Sequence, residues 1–169
     1  MEFENRVLSR EISQMLYEAG MTMGTAESCT GGRIAEAVIA TPGASNYFKG
    51  SIVSYVDEIK VRLLHVDPQV IEEKTAVCED VAIAMVKGAC ETLNVDFAIS
   101  ATGIAGPGGG SKDIPVGTIW LACGSKDDIV TLKLEDDEGR DVNLMHATNK
   151  ALQLFLDFLT KHITKEETE

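Results

Sequence analysis

The sequence predicts an α/β protein, built as a three-layer α/β/α sandwich around a mixed, mostly parallel sheet of about five strands. Segments rich in β-branched residues alternate with segments of helical apolar spacing along most of the 169 residues. This is the order found in parallel sheets that are covered by helices on both faces. Two late strand-like segments, 116–124 and 128–136, are joined by the polar turn Ser-Lys-Asp-Asp. Because strands joined by a short turn pair antiparallel, at least one strand is expected to reverse direction.

The first half of the chain contributes two predicted strands and four predicted helices. Apolar residues recur at helical spacing from Glu4 to Ala19, and Gly20 suits the position after that helix. After it we expect, in order, a strand over 21–27, a helix that opens after Thr30 and is ended by Pro42 and Gly43, a strand over 50–56, a short helix over 57–66 and another after Asp67. Asp67 is a typical N-cap and Pro68 suits the first helical position, so the start of the last helix is well marked.

The second half completes the alternation. Residues 79–93 repeat apolar side chains at helical spacing, and residues 95–103 form a buried strand that ends in glycine. The late strand pair follows, and a long helix from about Asp141 to Ile163 closes the chain. Since no internal repeat or linker is found, residues 1–169 are expected to form one domain, with a frayed tail at about 164–169.

Composition argues against several classes of function. The formal net charge is −12, so general binding to nucleic acid or to an anionic membrane, which needs a basic surface, is not expected. No run approaches the ~20 apolar residues of a membrane span, and the acidic N-terminus lacks the apolar stretch of a signal peptide. The four cysteines form no C-x-x-C pair and the three histidines are scattered. This pattern predicts reduced thiols, a cytoplasmic location and no metal bound by the protein.

The segment Ala26–Gly32, Ala-Glu-Ser-Cys-Thr-Gly-Gly, places hydroxyl and thiol groups between a strand and a helix. Ser28 and Thr30 would lie beside free backbone N–H groups at the helix N-terminus, a geometry that stabilises a phosphate or a developing oxyanion. The same residue types are common as N-caps, which stabilise a helix by about 1 kcal/mol. From this segment alone capping is the more frequent role, and both interpretations stay open.

The segment Ala101–Gly117 follows a buried strand and is rich in glycine. Its glycines are Gly103, Gly106, Gly108, Gly109, Gly110 and Gly117. Glycine N–H groups that turn inward can form a nest for an anion, although this spacing matches neither a P-loop nor a dinucleotide fingerprint. Open α/β sheets bind ligands at the carboxyl ends of their strands, and long loops inside compact domains are often functional. A binding loop is therefore predicted rather than a mere connection.

The segment Ser-Tyr-Val-Asp-Glu-Ile-Lys places Tyr55 at the end of a strand and Lys60 about one helical turn further on. A hydroxyl nucleophile needs a base, and a lysine near Ser28 could serve if burial or another cation lowered its pKa. Taken alone, a single lysine is more often a solvated surface charge.

Together these segments resemble the CinA C-terminal-domain family. The resemblance is carried by residues 25–32, by residues 54–64, by the glycine segment 101–110 with its later Pro-Val-Gly-Thr, and by the closing Gly-Arg-Asp-Val with the helix that follows. It covers about Leu8 to Leu159. Members of this family studied for activity are nicotinamide-nucleotide amidases, which convert nicotinamide mononucleotide into nicotinate mononucleotide and ammonia.

The resemblance implies serine amidase chemistry that needs neither a metal nor a cofactor. Ser28 matches the proposed nucleophile of the family and Lys60 its proposed base, with Tyr55 close by. Ser28 would attack the carboxamide carbon, ammonia would leave, and water would hydrolyse the acyl-enzyme. The oxyanion would be held by N–H groups of the turn formed by Cys29, Thr30 and Gly31.

The resemblance also implies the substrate contacts. The ligand would be a pyridine mononucleotide whose ribose phosphate lies in the glycine loop. Contacts are expected from Thr102, Gly103, Gly106, Gly108, Gly109, Gly110 and Arg140. Members of the family form oligomers, so a homodimer or a higher homo-oligomer is expected.

Two positions depart from the pattern of many members. Asp57 stands where an asparagine is common, and an acid there would hold Lys60 protonated. A second arginine that often follows the one matching Arg140 is missing, and Asn143–Met145 occupy that region. Two alternatives therefore stay beside the mononucleotide amidase: a nucleotide-binding or interaction module without turnover, and an amidase for a different small amide. Cys29 is an alternative nucleophile on chemistry alone, which family precedent assigns instead to packing or to the oxyanion turn.

Overall fold

The structure, a computed structural model, describes residues 2–166, with side chains described for residues 4–163. Over this range helices and strands alternate in the predicted order. The helices are α1 (Glu2–Ala19), α2 (Arg33–Ile39), α3 (Asp57–Leu64), α4 (Pro68–Lys74), α5 (Glu79–Leu93) and α6 (Arg140–Glu166). The strands are β1 (Met23–Glu27), β2 (Phe48–Val53), β3 (Phe97–Gly103), β4 (Ile119–Gly124) and β5 (Ile129–Leu134), and a 3-10 turn spans Ala44–Asn46.

The five strands form one mixed sheet in the order β2-β1-β3-β4-β5. β1 pairs parallel with both β2 and β3, whereas β4 pairs antiparallel with β3 and with β5. Four strands therefore run in one direction and β4 alone runs against them. This confirms the predicted α/β class and the predicted antiparallel element.

The helices cover both faces of the sheet and give the predicted three layers. On one face, α1, α2 and α6 pack into a core cluster that includes Leu16, Ile34, Phe97 and Phe155. On the other face, α3 and α5 pack into a second cluster. All five residues of β1 are buried, as expected of a central strand covered on both sides.

Helix α2 begins later than the sequence predicts. It was expected to open directly after Thr30, and it starts at Arg33. Gly31 and Gly32 have φ angles of 58° and 102°, in the left-handed region that ends or delays a right-handed helix. Residues 28–32 therefore form a separate turn between β1 and α2, and this turn carries the candidate nucleophile.

Two further expectations concern the end of the chain and the membrane. Helix α6 continues through Glu166, and residues 167–169 of the predicted tail lie outside the described residues. None of the described helices is both long enough and apolar enough to cross a bilayer.

The carboxyl ends of the three parallel strands lie side by side. Glu27 at the end of β1 is in register with Val53 of β2 and with Ala101 of β3. The segments that follow these strands therefore leave the same edge of the sheet. That edge is where open α/β sheets place their ligands.

Candidate active site

A cavity of about 250 Å³ lies at this edge of the sheet. Its walls come from the segments that follow β1, β2 and β3 and from the start of α6. The lining residues are Ser28, Cys29, Tyr55, Gly103, Ile104, Ala105, Gly106, Gly108, Gly109 and Arg140. Eight of the thirteen residues predicted for the site are thus brought together, whereas Thr30, Gly31, Lys60, Thr102 and Gly110 are not in this wall.

A larger cavity, of about 620 Å³, lies between α1, α2 and α6. Its charged residues are of both signs, with Arg6 and Arg33 beside Glu36 and Asp141. It contains none of the predicted nucleophiles or glycines. The smaller cavity is the better candidate for an active site, because its wall contains Ser28 and the glycine loop.

The buried carboxylate of Glu27 occupies the N-terminus of α2. It accepts hydrogen bonds from the backbone N–H groups of Gly32 (3.0 Å), Ile34 (3.1 Å) and Ala35 (2.8 Å) and from the hydroxyl of Thr30 (2.7 Å). An acid at this position satisfies the unpaired N–H groups and interacts favourably with the helix dipole. The sequence predicted that these N–H groups would be free to bind a ligand. That prediction is wrong, because the carboxylate of Glu27 already accepts their hydrogen bonds.

Ser28 is therefore not the cap of α2. Its hydroxyl makes no hydrogen bond with any described residue, and the residue is 7% exposed in the wall of the cavity. Its own backbone N–H continues the sheet by donating to Ala101 O (2.9 Å). A hydroxyl without a structural partner beside a cavity is available for chemistry.

The turn after Ser28 contains two backbone N–H groups without an oxygen acceptor, and of their two residues only Cys29 belongs to the cavity wall. The N–H of Gly31 donates to Ser28 O (3.1 Å), so it is not free to hold an oxyanion. The N–H groups of Cys29 and Thr30 have no oxygen acceptor among the described residues, and both approach the Cys29 sulfur. The predicted oxyanion turn thus reduces to these two donors.

Cys29 is a poor candidate for the nucleophile. Burial raises the pKa of its thiol to about 12, with a small further contribution from the charge of Glu27. The residue is 7% exposed and belongs to the core cluster under α2. Since the thiolate is the reactive form of cysteine, this thiol is almost entirely unreactive near neutral pH.

Lys60 is a buried amine on the first turns of α3. Its Nζ donates to Ser54 O (2.9 Å) and lies 3.6 Å from a carboxylate oxygen of Asp57. Burial lowers the pKa of Lys60 below its ordinary value, and this effect outweighs the opposite effect of Asp57. The sequence analysis expected Asp57 to hold the lysine protonated. Asp57 does act in the expected direction, but burial has the larger effect: the side chain of Asp57 is 57% exposed while that of Lys60 is 2% exposed.

Tyr55 and Arg140 meet at the mouth of the cavity. Arg140 donates through Nη1 to Gly106 O (2.8 Å) and through Nη2 to the hydroxyl of Tyr55 (3.4 Å). Tyr55 is 58% exposed. Arg140 is the only cationic residue in the described wall of this cavity.

Asn143 makes structural contacts at the start of α6 that the sequence did not reveal. Its amide nitrogen donates to Ala105 O (3.0 Å) and to Asp137 (2.9 Å), and its amide oxygen accepts the N–H of Glu138 (2.9 Å). The start of α6 is thereby attached to the glycine loop, which fixes Arg140 beside the cavity.

The glycine loop has tight packing at its base. A Cβ at Gly103 would lie 2.6 Å from the backbone of Ile119, so only glycine fits between β3 and β4. Gly106 and Gly109 both have φ of 88°, a conformation that favours glycine. These positions let the loop turn back across the end of the sheet.

Two residues predicted to touch substrate face elsewhere. The hydroxyl of Thr102 donates to Ala76 O (2.8 Å), in the segment between α4 and α5. Gly110 packs against the backbone of Val116, where an added Cβ would lie 2.7 Å from the amide nitrogen. Neither residue is part of the cavity wall.

No cluster of three or more His, Cys, Asp or Glu side chains that could hold a metal occurs among residues whose side chains are described.

Comparisons with known proteins place these residues in a family context. A family model described as the CinA C-terminal domain matches residues 5–159. A CinA-like protein of Gloeobacter violaceus is 40% identical over 149 residues, which is 87% of this chain and 35% of that protein. A CinA-like protein of Flavobacterium psychrophilum is 35% identical over 162 residues, 96% of this chain and 39% of that protein. The chain spans between 26% and 39% of the length of such curated relatives.

Solved structures with the same fold as this chain are also found. The competence/damage inducible protein CihA from Agrobacterium tumefaciens has a TM-score of 0.89 and 32% identity, covering 92% of this chain and 95% of that one. A competence-damaged protein (CinA) superfamily protein from Escherichia coli has a TM-score of 0.86 and 34% identity, covering 90% of this chain and 89% of that one.

Proposed function

The chain belongs to the CinA C-terminal-domain family, and we propose that it is an amidohydrolase that converts nicotinamide mononucleotide into nicotinate mononucleotide and ammonia. One observation carries this proposal. The hydroxyl of Ser28 has no structural hydrogen bond and lies in the wall of a cavity of about 250 Å³, and the buried Lys60, whose pKa is lowered by burial, is close enough for its charge to act on the thiol of the adjacent Cys29. A serine hydroxyl without a structural partner and a lysine whose pKa is lowered are the two groups that serine–lysine acyl transfer uses.

The reaction proceeds by acyl transfer. The neutral amine of Lys60 accepts the proton of Ser28 as the serine oxygen attacks the carboxamide carbon. The N–H groups of Cys29 and Thr30 stabilise the tetrahedral oxyanion, an effect worth roughly 3 kcal/mol per donor in other hydrolases. The C–N bond then breaks, ammonia leaves with a proton from the Lys60 ammonium, and water hydrolyses the resulting ester.

The phosphate of the substrate binds at the other end of the cavity. Helix α2 is not available to it, because Glu27 already fills the N-terminus of that helix. Arg140 is the cation of the cavity, and the loop that contains Gly106, Gly108 and Gly109 faces it. Arginine with backbone N–H groups is a common phosphate-binding combination. We assign the phosphate to this pair of elements and the pyridine carboxamide to Ser28.

A second candidate function is nucleotide binding without turnover. This candidate is favoured by the lack of a hydrogen bond between Lys60 and Ser28 among the described residues. The Nζ atom of Lys60 donates to Ser54 O instead. A module of this kind would use the same cavity for recognition alone. An amidase acting on a different small amide would keep Ser28 and Lys60 and differ in the loop and in Arg140.

A homodimer or a higher homo-oligomer also remains a proposal.

Ammonia release from nicotinamide mononucleotide tests the proposal, with the unaltered chain compared with Ser28→Ala and Lys60→Met. We expect turnover in the unaltered chain and a loss of about 10³-fold or more in both variants, with circular dichroism spectra unchanged. Calorimetric binding of the same nucleotide separates the alternatives. Binding without ammonia release would support the non-catalytic module, and release from other amides but not from this one would support a different substrate.

A further inference from the structure

Ser54 carries a buried hydroxyl that nothing in the fold explains. The residue is completely buried, and its Oγ has no hydrogen-bond partner among the described residues. Buried hydroxyl groups are nearly always hydrogen-bonded, because leaving one unpaired costs free energy. Ser100, a second buried serine on the same sheet, illustrates the rule by donating to Ala82 O (2.7 Å). The exception at Ser54 lies at the edge of the sheet that bears the candidate active site.

Ser54 and Ser28 are neighbours on adjacent parallel strands. The N–H of Ser54 donates to Glu27 O (2.8 Å), so the β1–β2 ladder extends one residue past the pair Glu27–Val53. Neighbouring strands lie about 4.8 Å apart and successive side chains alternate between faces. Ala26 and Ile52, two residues earlier, both lie in the core cluster on the α3 side of the sheet. By this alternation Ser28 and Ser54 face the same layer.

Lys60 approaches this pair from the layer that they face. It lies on α3, whose Leu64 belongs to the same core cluster as Ala26 and Ile52. Its Nζ is fixed 2.9 Å from the carbonyl oxygen of Ser54. The amine therefore lies next to Ser54, while Ser54 lies next to Ser28. Ser54 is therefore a neighbour of both the nucleophile and the base, and its Oγ makes no hydrogen bond to either of them in this structure.

We propose that the Ser54 hydroxyl relays the proton between Ser28 and Lys60. The inference rests on the proposed function, and it gives the proton a route between two residues that share no hydrogen bond. As the Ser28 oxygen attacks the carboxamide carbon, its proton passes to Ser54 Oγ. At the same time the original Ser54 proton passes to the neutral amine of Lys60, which becomes an ammonium. When the C–N bond breaks, the ammonium returns one proton through Ser54 to the leaving nitrogen, which departs as ammonia.

The test compares Ser54→Ala, which removes the hydroxyl, with Ser54→Thr, which keeps it. For Ser54→Ala we expect kcat to fall by about 100-fold or more, as for loss of a proton-transfer group, and KM to change by less than about twofold. The midpoint of thermal unfolding should stay equal or rise, because the lost hydroxyl had no partner. Ser54→Thr should keep kcat within about tenfold. Ser100→Ala is the matched control: it loses a buried hydrogen bond and should lower the unfolding midpoint while leaving kcat unchanged.

Full activity in Ser54→Ala would overturn the relay and leave the amidase proposal standing. Equal losses in Ser54→Ala and Ser54→Thr, with both variants folded, would also overturn it. Labelling of Ser28 by a fluorophosphonate probe gives a readout that does not depend on the substrate. If nicotinamide mononucleotide is not hydrolysed, the amidase proposal fails. The relay is then supported by labelling that is lost in Ser54→Ala and overturned by the absence of labelling in the unaltered chain.

Discussion

The amine nitrogen of Lys60 lies 3.6 Å from a carboxylate oxygen of Asp57, yet burial keeps the pKa of the lysine below its ordinary value. The two residues are one helical turn apart at the start of α3. Their surroundings differ sharply, since water surrounds the carboxylate and protein surrounds the amine. An exposed carboxylate is screened by water and supports a buried cation only weakly. In the proposed mechanism, Asp57 therefore modulates the strength of Lys60 as a base.

The first prediction concerns the pH dependence of the reaction. Because the neutral form of Lys60 is the base, kcat/KM should rise with pH to a plateau, with a midpoint below the ordinary pKa of a lysine. Asp57→Asn removes a group that raises this pKa, so the midpoint should move to lower pH. The profile of kcat/KM against pH for both proteins checks this. A midpoint that moves to higher pH in Asp57→Asn would contradict the assignment of Lys60 as the base.

The second prediction concerns Glu27. Replacing it with glutamine places an NH₂ group against backbone N–H donors and removes the charge at the start of α2. We expect a loss of stability on the order of 3 kcal/mol, since several hydrogen bonds to a buried charged group are lost. Urea unfolding measures it. Glu36→Gln is the control, because it removes the same charge from an exposed site of α2 and should change stability by less than about 0.5 kcal/mol. Equal stabilities for the two variants would refute the role of Glu27.

The third prediction concerns Arg140. Arg140→Ala removes the only cation in the described wall of the cavity, so it should raise KM for a phosphorylated substrate by about 10- to 100-fold, as expected for a charge-assisted contact. The value of kcat should change much less, because the phosphate lies away from the reacting carbon. Steady-state kinetics with nicotinamide mononucleotide, and with the riboside that lacks phosphate, measure the effect. Arg62→Ala, at an exposed position of α3, should leave KM unchanged. The same KM increase for the riboside would show that Arg140 does not bind phosphate.

The fourth prediction concerns Cys29. Because burial raises the pKa of its thiol to about 12, Cys29→Ala should keep kcat within about tenfold, the remaining effect coming from repacking of the turn. Iodoacetamide at neutral pH should leave Cys29 unmodified in the folded protein, as followed by peptide mass spectrometry. Rapid alkylation of Cys29 that abolishes activity would instead identify it as a reactive group.

The layers of the fold could be predicted from local sequence patterns. Several contacts of the site could not, because they depend on the direction in which each side chain points. Alternating strand and helix segments predicted the layers and the reversed β4, because apolar periodicity reports burial directly. Thr102 was predicted to touch substrate from its place in the glycine segment. Its hydroxyl instead donates to Ala76 O in the segment before α5, a contact between residues 26 positions apart that the local sequence pattern does not reveal.

Two residues of the site had no clear sign in the sequence. Glu27 ends a strand of otherwise apolar and small residues. Its position just before a helix was the one indication that its carboxylate would bind the N-terminus of that helix. Ser54 offered none, because an unpaired hydroxyl is recognised only when every neighbouring donor and acceptor is known. Asn143 was noted as the absence of an arginine, and its hydrogen bonds to the glycine loop emerge only in three dimensions.

The central claim is that Ser28 is the nucleophile, and trapping the acyl-enzyme tests it most directly. The protein is mixed with nicotinamide mononucleotide, quenched in acid within milliseconds and digested, and the peptide that contains residues 28 and 29 is analysed by mass spectrometry. The account predicts an added acyl group on the Ser28 oxygen, present in Cys29→Ala and absent from Ser28→Ala. An acyl group on Cys29, or ammonia release that persists in Ser28→Ala, would contradict it.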